Sequence, residues 1–222
     1  MIFFDTEGFE STGKADAYDD RIFALSALLS SVLVYNLPET IRESDLEKLS
    51  FATELAEALF DGQGAGTAFA STNMLWVIQR DFLQGKTPQQ MLGEAMQPVA
   101  NPNSDKGIDQ VNRVRRSLQK LAVNSTAVGL RQPHLDRTKL CDLPDEQLDP
   151  TYVQQRDSLR LVVRSMAHAK VVGGRVVTGP QLADLVVRVV EALNTRDMPT
   201  GSSLVEYFNK EVLEICIANV HL

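Results

Sequence analysis

Apolar residues in this chain fall into short runs and longer stripes. Ser31-Val-Leu-Val-Tyr-Asn36 and Met74-Leu-Trp-Val-Ile78 are continuous runs rich in β-branched and aromatic residues. Such runs predict central parallel strands covered on both faces. Met1-Ile-Phe-Phe4 reads the same way, as a buried strand that breaks off at Asp5-Thr6-Glu7-Gly8. Ala127-Val-Gly-Leu130 is a weaker strand, ended by Gln132-Pro133, and Pro38 ends the Ser31 run.

Between these runs the apolar positions take helical spacing. Ile22, Phe23, Leu25, Leu28 and Leu29 predict a helix capped by Asp20. Leu46, Leu49, Thr53, Ala56 and Phe60 share one face of a helix within Glu43 to Phe60. Thr87-Pro88 opens a short helix, with proline at a first-turn position. Val111 to Leu121 reads as a basic amphipathic helix, and Asp61 to Asn73 and Asn101 to Gly107 read as loops. From His134 to Asp149 the chain is polar and without period, which places a boundary near Asp149-Pro150.

Beyond that boundary the pattern is helical. Leu182, Leu185, Val186, Val189, Val190 and Leu193 form one stripe, started by Pro180 and stopped by Asn194. Val205, Phe208, Val212 and Cys216 form another, whose apolar face calls for a partner, so the chain is expected to stop within a domain. Strand–helix alternation over residues 1–149, then helices over 150–222, predicts an α/β fold: an incomplete, mostly parallel sheet with flanking helices, followed by an all-helical segment.

Composition narrows the function classes. The 222 residues carry a net charge of −7, against a general nucleic-acid binder, which needs a basic face. The basic run Arg113 to Lys120 has no interleaved aromatics and reads as a solvated helix face. Cys141 and Cys216 are far apart without ligand spacing, which fits a reducing compartment, and no basic leader precedes an apolar core at the N-terminus, so the cytoplasm is the expected location. The apolar stretch Ile22 to Pro38 is better explained by a helix and a strand than by a membrane span. His134, His168 and His221 lie in separate segments without metal-binding spacing.

Two strand ends carry candidate chemistry. Ligands of nucleotide-binding α/β proteins bind beyond the carboxyl ends of strands. Asp5 there can reach a Mg²⁺ through its water shell, and Gly8 lets the backbone approach a phosphate. These four residues alone read first as an ordinary Asp/Gly turn. Arg80-Asp81 follows the Met74 strand and reads either as a surface ion pair or as a ligand-reading pair.

Taken together, three blocks resemble the guanylate-binding protein family of dynamin-like large GTPases, with atlastins as more distant relatives. The first is Asp5-Thr-Glu-Gly8 with Ile22-Phe-Ala-Leu25, Leu28-Leu-Ser-Ser31 and Val34-Tyr-Asn36. The second is Arg80-Asp81-Phe82. The third is Leu148-Asp-Pro150 with Val153-Gln-Gln155, Gly173-Gly174 and Gly179-Pro180. They cover nearly the whole chain in order.

The resemblance implies a P-loop GTPase-type sheet that binds GTP with Mg²⁺ and hydrolyses it. It makes Asp5 the switch II aspartate that holds Mg²⁺ through water, with Thr6 in the same loop. It gives Glu7 a part in positioning the attacking water and Gly8 an N–H for the γ-phosphate. Arg80-Asp81 becomes the guanine-reading pair, because a carboxylate accepts from guanine N1–H and the N2 amine, donors adenine lacks. It implies association with like or related chains through the GTPase domain, and leaves membrane association of the whole protein open.

The departures are equally specific. The family's P-loop and switch I precede the switch II motif, and this chain starts at switch II, so residues 1–149 are expected to be a truncated GTPase domain inactive alone and residues 150–222 the start of a helical middle domain. Gly8-Phe-Glu-Ser-Thr-Gly13-Lys14 imitates a phosphate loop but continues with Ala15, which lacks the Mg²⁺-binding hydroxyl. Gln132 stands where the family's guanine cap has arginine. A different class of function is the rival expectation: a catalytically dead interaction module that associates with intact relatives.

Overall fold

The structure, a computed structural model, describes residues 1–6, 16–50, 72–80, 85–122, 124–140, 143–172 and 174–195. Glu7, Gly8, the Gly8–Ala15 loop, Asp81, the far half of the helix expected up to Phe60 and the stripe from Val205 to Cys216 lie outside them.

Three parallel strands form the sheet, in the order β1 (Val32–Leu37), β2 (Asn73–Gln79), β3 (Ser125–Leu130). β2 is central, and Met74, Leu75, Trp76, Val77 and Ile78 are all buried, as a continuous apolar run requires. Alternation splits them between faces. On one face Met74 and Trp76 join Phe23, Leu28, Tyr35 and Leu37 in the main core. On the other, Leu75 and Val77 pack with Leu130. Each such side chain contributes about 1.5–3 kcal/mol on burial. Trp76 meets Tyr35 edge-on, with ring centroids 5.2 Å apart at 80°. Its indole Nε1 is buried without a hydrogen-bond partner among the described residues.

The helices begin where local chemistry places their caps. α1 (Asp16–Leu29) starts a turn earlier than Asp20 suggested, and α2 (Glu43–Glu47) is followed by a turn at Lys48–Ser50. α3 (Pro88–Ala95) opens on Thr87, whose hydroxyl accepts from the Gln90 N–H while the Gln90 side chain accepts from the Thr87 N–H. α4 (Lys106–Leu121) starts before the expected Val111, because the Asp105 carboxylate accepts from the N–H groups of Gly107 and Ile108. Val111, Val114, Leu118 and Leu121 are its buried face.

Residues after 150 are helical apart from a hairpin. α5 (Pro150–Met166) places Tyr152, Leu159, Val162, Val163 and Met166 against Leu75, Val77 and Leu130. The antiparallel pair β4 (Val171–Val172) and β5 (Arg175–Val176) follows. α6 (Gly179–Thr195) packs on α1 through the Leu185, Val189 and Leu193 stripe.

Polar bonds tie this region to the amino edge of the sheet. Asn73 Nδ2 donates to the Met166 carbonyl at 2.8 Å, and Thr72 Oγ1 to the carbonyls of Ala27 and Ser30 at 3.0 and 3.2 Å. Lys170 Nζ donates to Ser30 O at 2.9 Å. Burial pushes the Lys170 ammonium down to a pKa of about 8.

The sequence pattern misplaces one element. Met1 to Phe4 form no strand and are exposed, between 58% and 78% of their surface. Apolar composition makes a segment competent to be a strand, but pairing makes it one, and among the described residues no strand pairs with it.

Candidate functional site

The carboxyl edge of the sheet gathers the polar loops. In register Leu37 lies beside Ile78, and Gln79 beside Leu130, so the three strands end nearly level. Connections in such a parallel sheet leave this edge open to a ligand.

β2 delivers Arg80 directly after Gln79, as its position at a strand end implied. Its φ is 51°, in the left-handed region that non-glycine residues rarely occupy. Two contacts surround this turn. Gln79 Nε2 donates to Asn36 Oδ1 at 2.9 Å, bridging the ends of β2 and β1. Arg80 Nη2 lies 3.6 Å from Glu39 Oε1, and Arg42 Nη2 lies 3.5 Å from the other oxygen of the same carboxylate. Glu39 is therefore shared by two guanidinium groups. The sequence gives Glu39 no signal beyond its place just after β1, and it marks Asn36 as the end of a strand and part of a family block but not as a partner of Gln79.

β3 ends on Arg131 and Gln132. The Arg131 N–H donates to Gln155 Oε1 at 2.7 Å, so α5 anchors this strand end. Gln132 Nε2 donates to the His134 carbonyl at 2.8 Å, a bond made within its own loop. The Asp149 N–H donates to Pro133 O at 2.8 Å, and the Asp149 carboxylate caps α5 by accepting from the Thr151 and Tyr152 N–H groups. Those bonds hold the Asp149 carboxyl below the usual carboxylate range, the Tyr152 N–H most strongly. Arg156 grips Asp145 in a two-pronged pair at 2.7 and 2.6 Å, which lowers the Asp145 carboxyl likewise. The 143–149 loop is thus fastened to α5.

Asp5 and Thr6 are exposed, and among the described residues neither bonds to the strand ends. Mg²⁺ takes one or two carboxylates and keeps several waters, so an exposed Asp5 suits one water-mediated ligand. No group of three or more His, Cys, Asp or Glu among the described residues could hold a metal ion. No helix among them is long and apolar enough to cross a membrane.

A short all-parallel sheet with helices on both faces and polar loops at its carboxyl edge is an α/β fold, consistent with a fragment of the P-loop GTPase type. The family model for the guanylate-binding protein, N-terminal domain, matches residues 1–172. The chain belongs to the guanylate-binding protein family. It is 30% identical over 219 residues to guanylate-binding protein 5 of Homo sapiens, covering 90% of this chain and 37% of that protein. It is 30% identical over 227 residues to guanylate-binding protein 2 of Rattus norvegicus, covering 92% and 38%. Guanylate-binding protein 6 of Pongo abelii is 29% identical over 220 residues, covering 90% and 34%. The chain spans little more than a third of the length of these relatives.

Proposed function

We propose that this chain is the base-reading and switch side of a GTP-binding, GTP-hydrolysing domain, with residues 150–222 opening a helical middle domain. The observation that carries the GTPase-domain part of this reading is the family match over residues 1–172; the middle-domain part rests on the helical pattern of the sequence after residue 150. The placement of Arg80 at the open carboxyl edge, next to Asp81 in sequence, supports the GTPase-domain part.

In this reading Asp81 accepts from guanine N1–H and the N2 amine. Asp5 holds Mg²⁺ through water, and the ion, when bound, neutralises phosphate charge. Thr6 lines the same loop, Gly8 offers its N–H to the γ-phosphate, and Glu7 orients the attacking water. Catalysis of phosphoryl transfer rests on such positioning and charge stabilisation. This chain alone holds the triphosphate weakly, since these residues supply few fixed phosphate donors. Association with a second GTPase domain, like or related, belongs to the same proposal, as does a cytoplasmic setting.

Titration of the purified chain with a fluorescent GTP analogue and Mg²⁺, with an ATP analogue in parallel, tests the reading. Weak, guanine-selective binding supports it. Equal response to both bases overturns it, and no binding combined with capture of an intact relative favours a pure interaction module.

A further inference from the structure

We propose that the outer edge of β1 is a docking surface for a second copy of this chain, which lays its Met1 to Phe4 run along that edge as an added strand. The inference does not rest on the nucleotide reading.

β1 has β2 on one side and, among the described residues, no strand on the other. Its register with β2 fixes which backbone groups face outward. The Asn73 N–H donates to Ser31 O at 3.0 Å, and Val32 lies beside Asn73. In a parallel ladder alternate residues turn both N–H and C=O toward the same neighbour. Ser31, Leu33, Tyr35 and Leu37 therefore address β2. The N–H and C=O groups of Val32, Val34 and Asn36 point to the outer side, where no described strand bonds to them.

Native sheets guard such an edge with lysine, proline, a bulge or a covering element. Val32-Leu-Val-Tyr-Asn-Leu37 contains no charged residue and no proline, and its pairing with β2 runs without a bulge. Val34, in its middle, is 48% exposed. An apolar, unguarded edge is the form that accepts an extended segment, with main-chain bonds giving affinity.

The same chain carries the complementary part. Met1, Ile2, Phe3 and Phe4 are exposed, Phe3 at 78%. Consecutive apolar residues suit a strand whose two faces are both covered. Within one copy the run forms no strand, so run and edge stay apart. A second copy brings a run to the edge and an edge to the run. Under twofold symmetry the exchange is reciprocal and satisfies both features in both copies.

Sedimentation velocity of the purified chain without nucleotide, over a concentration series, is expected to show a monomer–dimer equilibrium. Val34→Pro removes an outward N–H and leaves the β2 ladder whole. Val34→Lys guards the edge with a charge on an exposed side chain, and Phe3→Asp places a charge in the run. Each is expected to weaken the dimer about tenfold, roughly the worth of one main-chain bond. A tagged chain carrying Ile2→Cys, mixed with an untagged chain carrying Val34→Cys, is expected to give a heterodimer with a short bismaleimide. That product should exceed the one from chains holding only Cys141 and Cys216. A chain that stays monomeric, or a dimer untouched by all three charge and proline substitutions, overturns the proposal. So does a link formed within one chain that carries both new cysteines, since the run then lies on its own edge. A dimer that needs GTP and ignores Val34 belongs to the GTPase-domain association proposed above, and overturns this inference alone.

Discussion

Lys170 donates from its ammonium to the carbonyl of Ser30 at 2.9 Å, joining the approach to the β4–β5 hairpin to the end of α1. Thr72 reaches the same carbonyl from the start of β2, so three distant segments meet at one backbone oxygen. A cation suits this place, because the last carbonyls of a helix carry partial negative charge. Burial opposes it and pushes the ammonium down to about 8 from its ordinary 10.5.

That opposition has a sign in solution. Below pH 8 Lys170 is protonated folded or unfolded, and the burial penalty is constant. Between about 8 and 10.5 the folded chain has shed a proton that the unfolded chain keeps, so stability rises with pH. The rise is bounded by about 3 kcal/mol. Urea unfolding at a series of pH values is expected to show it in the unaltered chain and not in Lys170→Met. An equal rise in both would assign it to another group.

The acid side is expected to behave in the opposite sense. Asp149 is held below its ordinary 3.8 by the N–H groups it caps. Its contribution is present above that ordinary value and is lost as pH falls through the lowered one. Asp149→Asn retains an acceptor for the cap without the titration. Its urea midpoint should depend less on pH below about 4 than that of the unaltered chain. Parallel curves would remove Asp149 as the source.

Trp76 offers a test of two opposing terms. Its ring fills the core against Tyr35, while its buried Nε1–H finds no acceptor among the described residues. Trp76→Ala opens a cavity and is expected to cost about 3–5 kcal/mol. Trp76→Phe loses volume but also removes the unpaired donor, a burden of about 1–3 kcal/mol. The phenylalanine variant should therefore fall within about 1 kcal/mol of the unaltered chain. Equilibrium denaturation decides, and a cost near that of alanine would mean that the indole N–H is satisfied.

Base selectivity should follow Asp81. Asp81→Asn replaces one acceptor oxygen by a donor, which clashes with the N2 amine of guanine and matches the carbonyl of xanthine. Competition binding in an intact relative carrying the substitution at the aligned aspartate is expected to lower guanine affinity by tenfold or more, about 1.4 kcal/mol, and to raise xanthine affinity. Unchanged preference would refute the base-reading role.

The pattern of residues determined what depends on neighbours in the chain. The run at Asn73–Gln79 is a strand because continuous apolarity fits a doubly covered sheet, whereas Val32–Leu37, expected to be covered on both faces likewise, lies at the edge of the described sheet with Val34 exposed. Thr87 and Pro88 start a helix because a cap and a preset φ act within one turn. The stripe from Leu182 to Leu193 showed which face of α6 is buried, through Leu185, Val189 and Leu193, while Val190, expected in the same stripe, is exposed at its margin. At the candidate site, the pattern placed Arg80 at a strand end.

Tertiary structure decided what depends on residues far apart. Met1 to Phe4 carry a strand's composition and lie exposed, because a strand exists only beside a partner. Glu39 reaches Arg80 and Gln155 reaches Arg131 only after the sheet and α5 have assembled. The left-handed turn at Arg80 has no local cause in an arginine. Periodicity reports burial, and caps report the first turn of a helix. Neither records which distant side chain will stand opposite once the chain has closed.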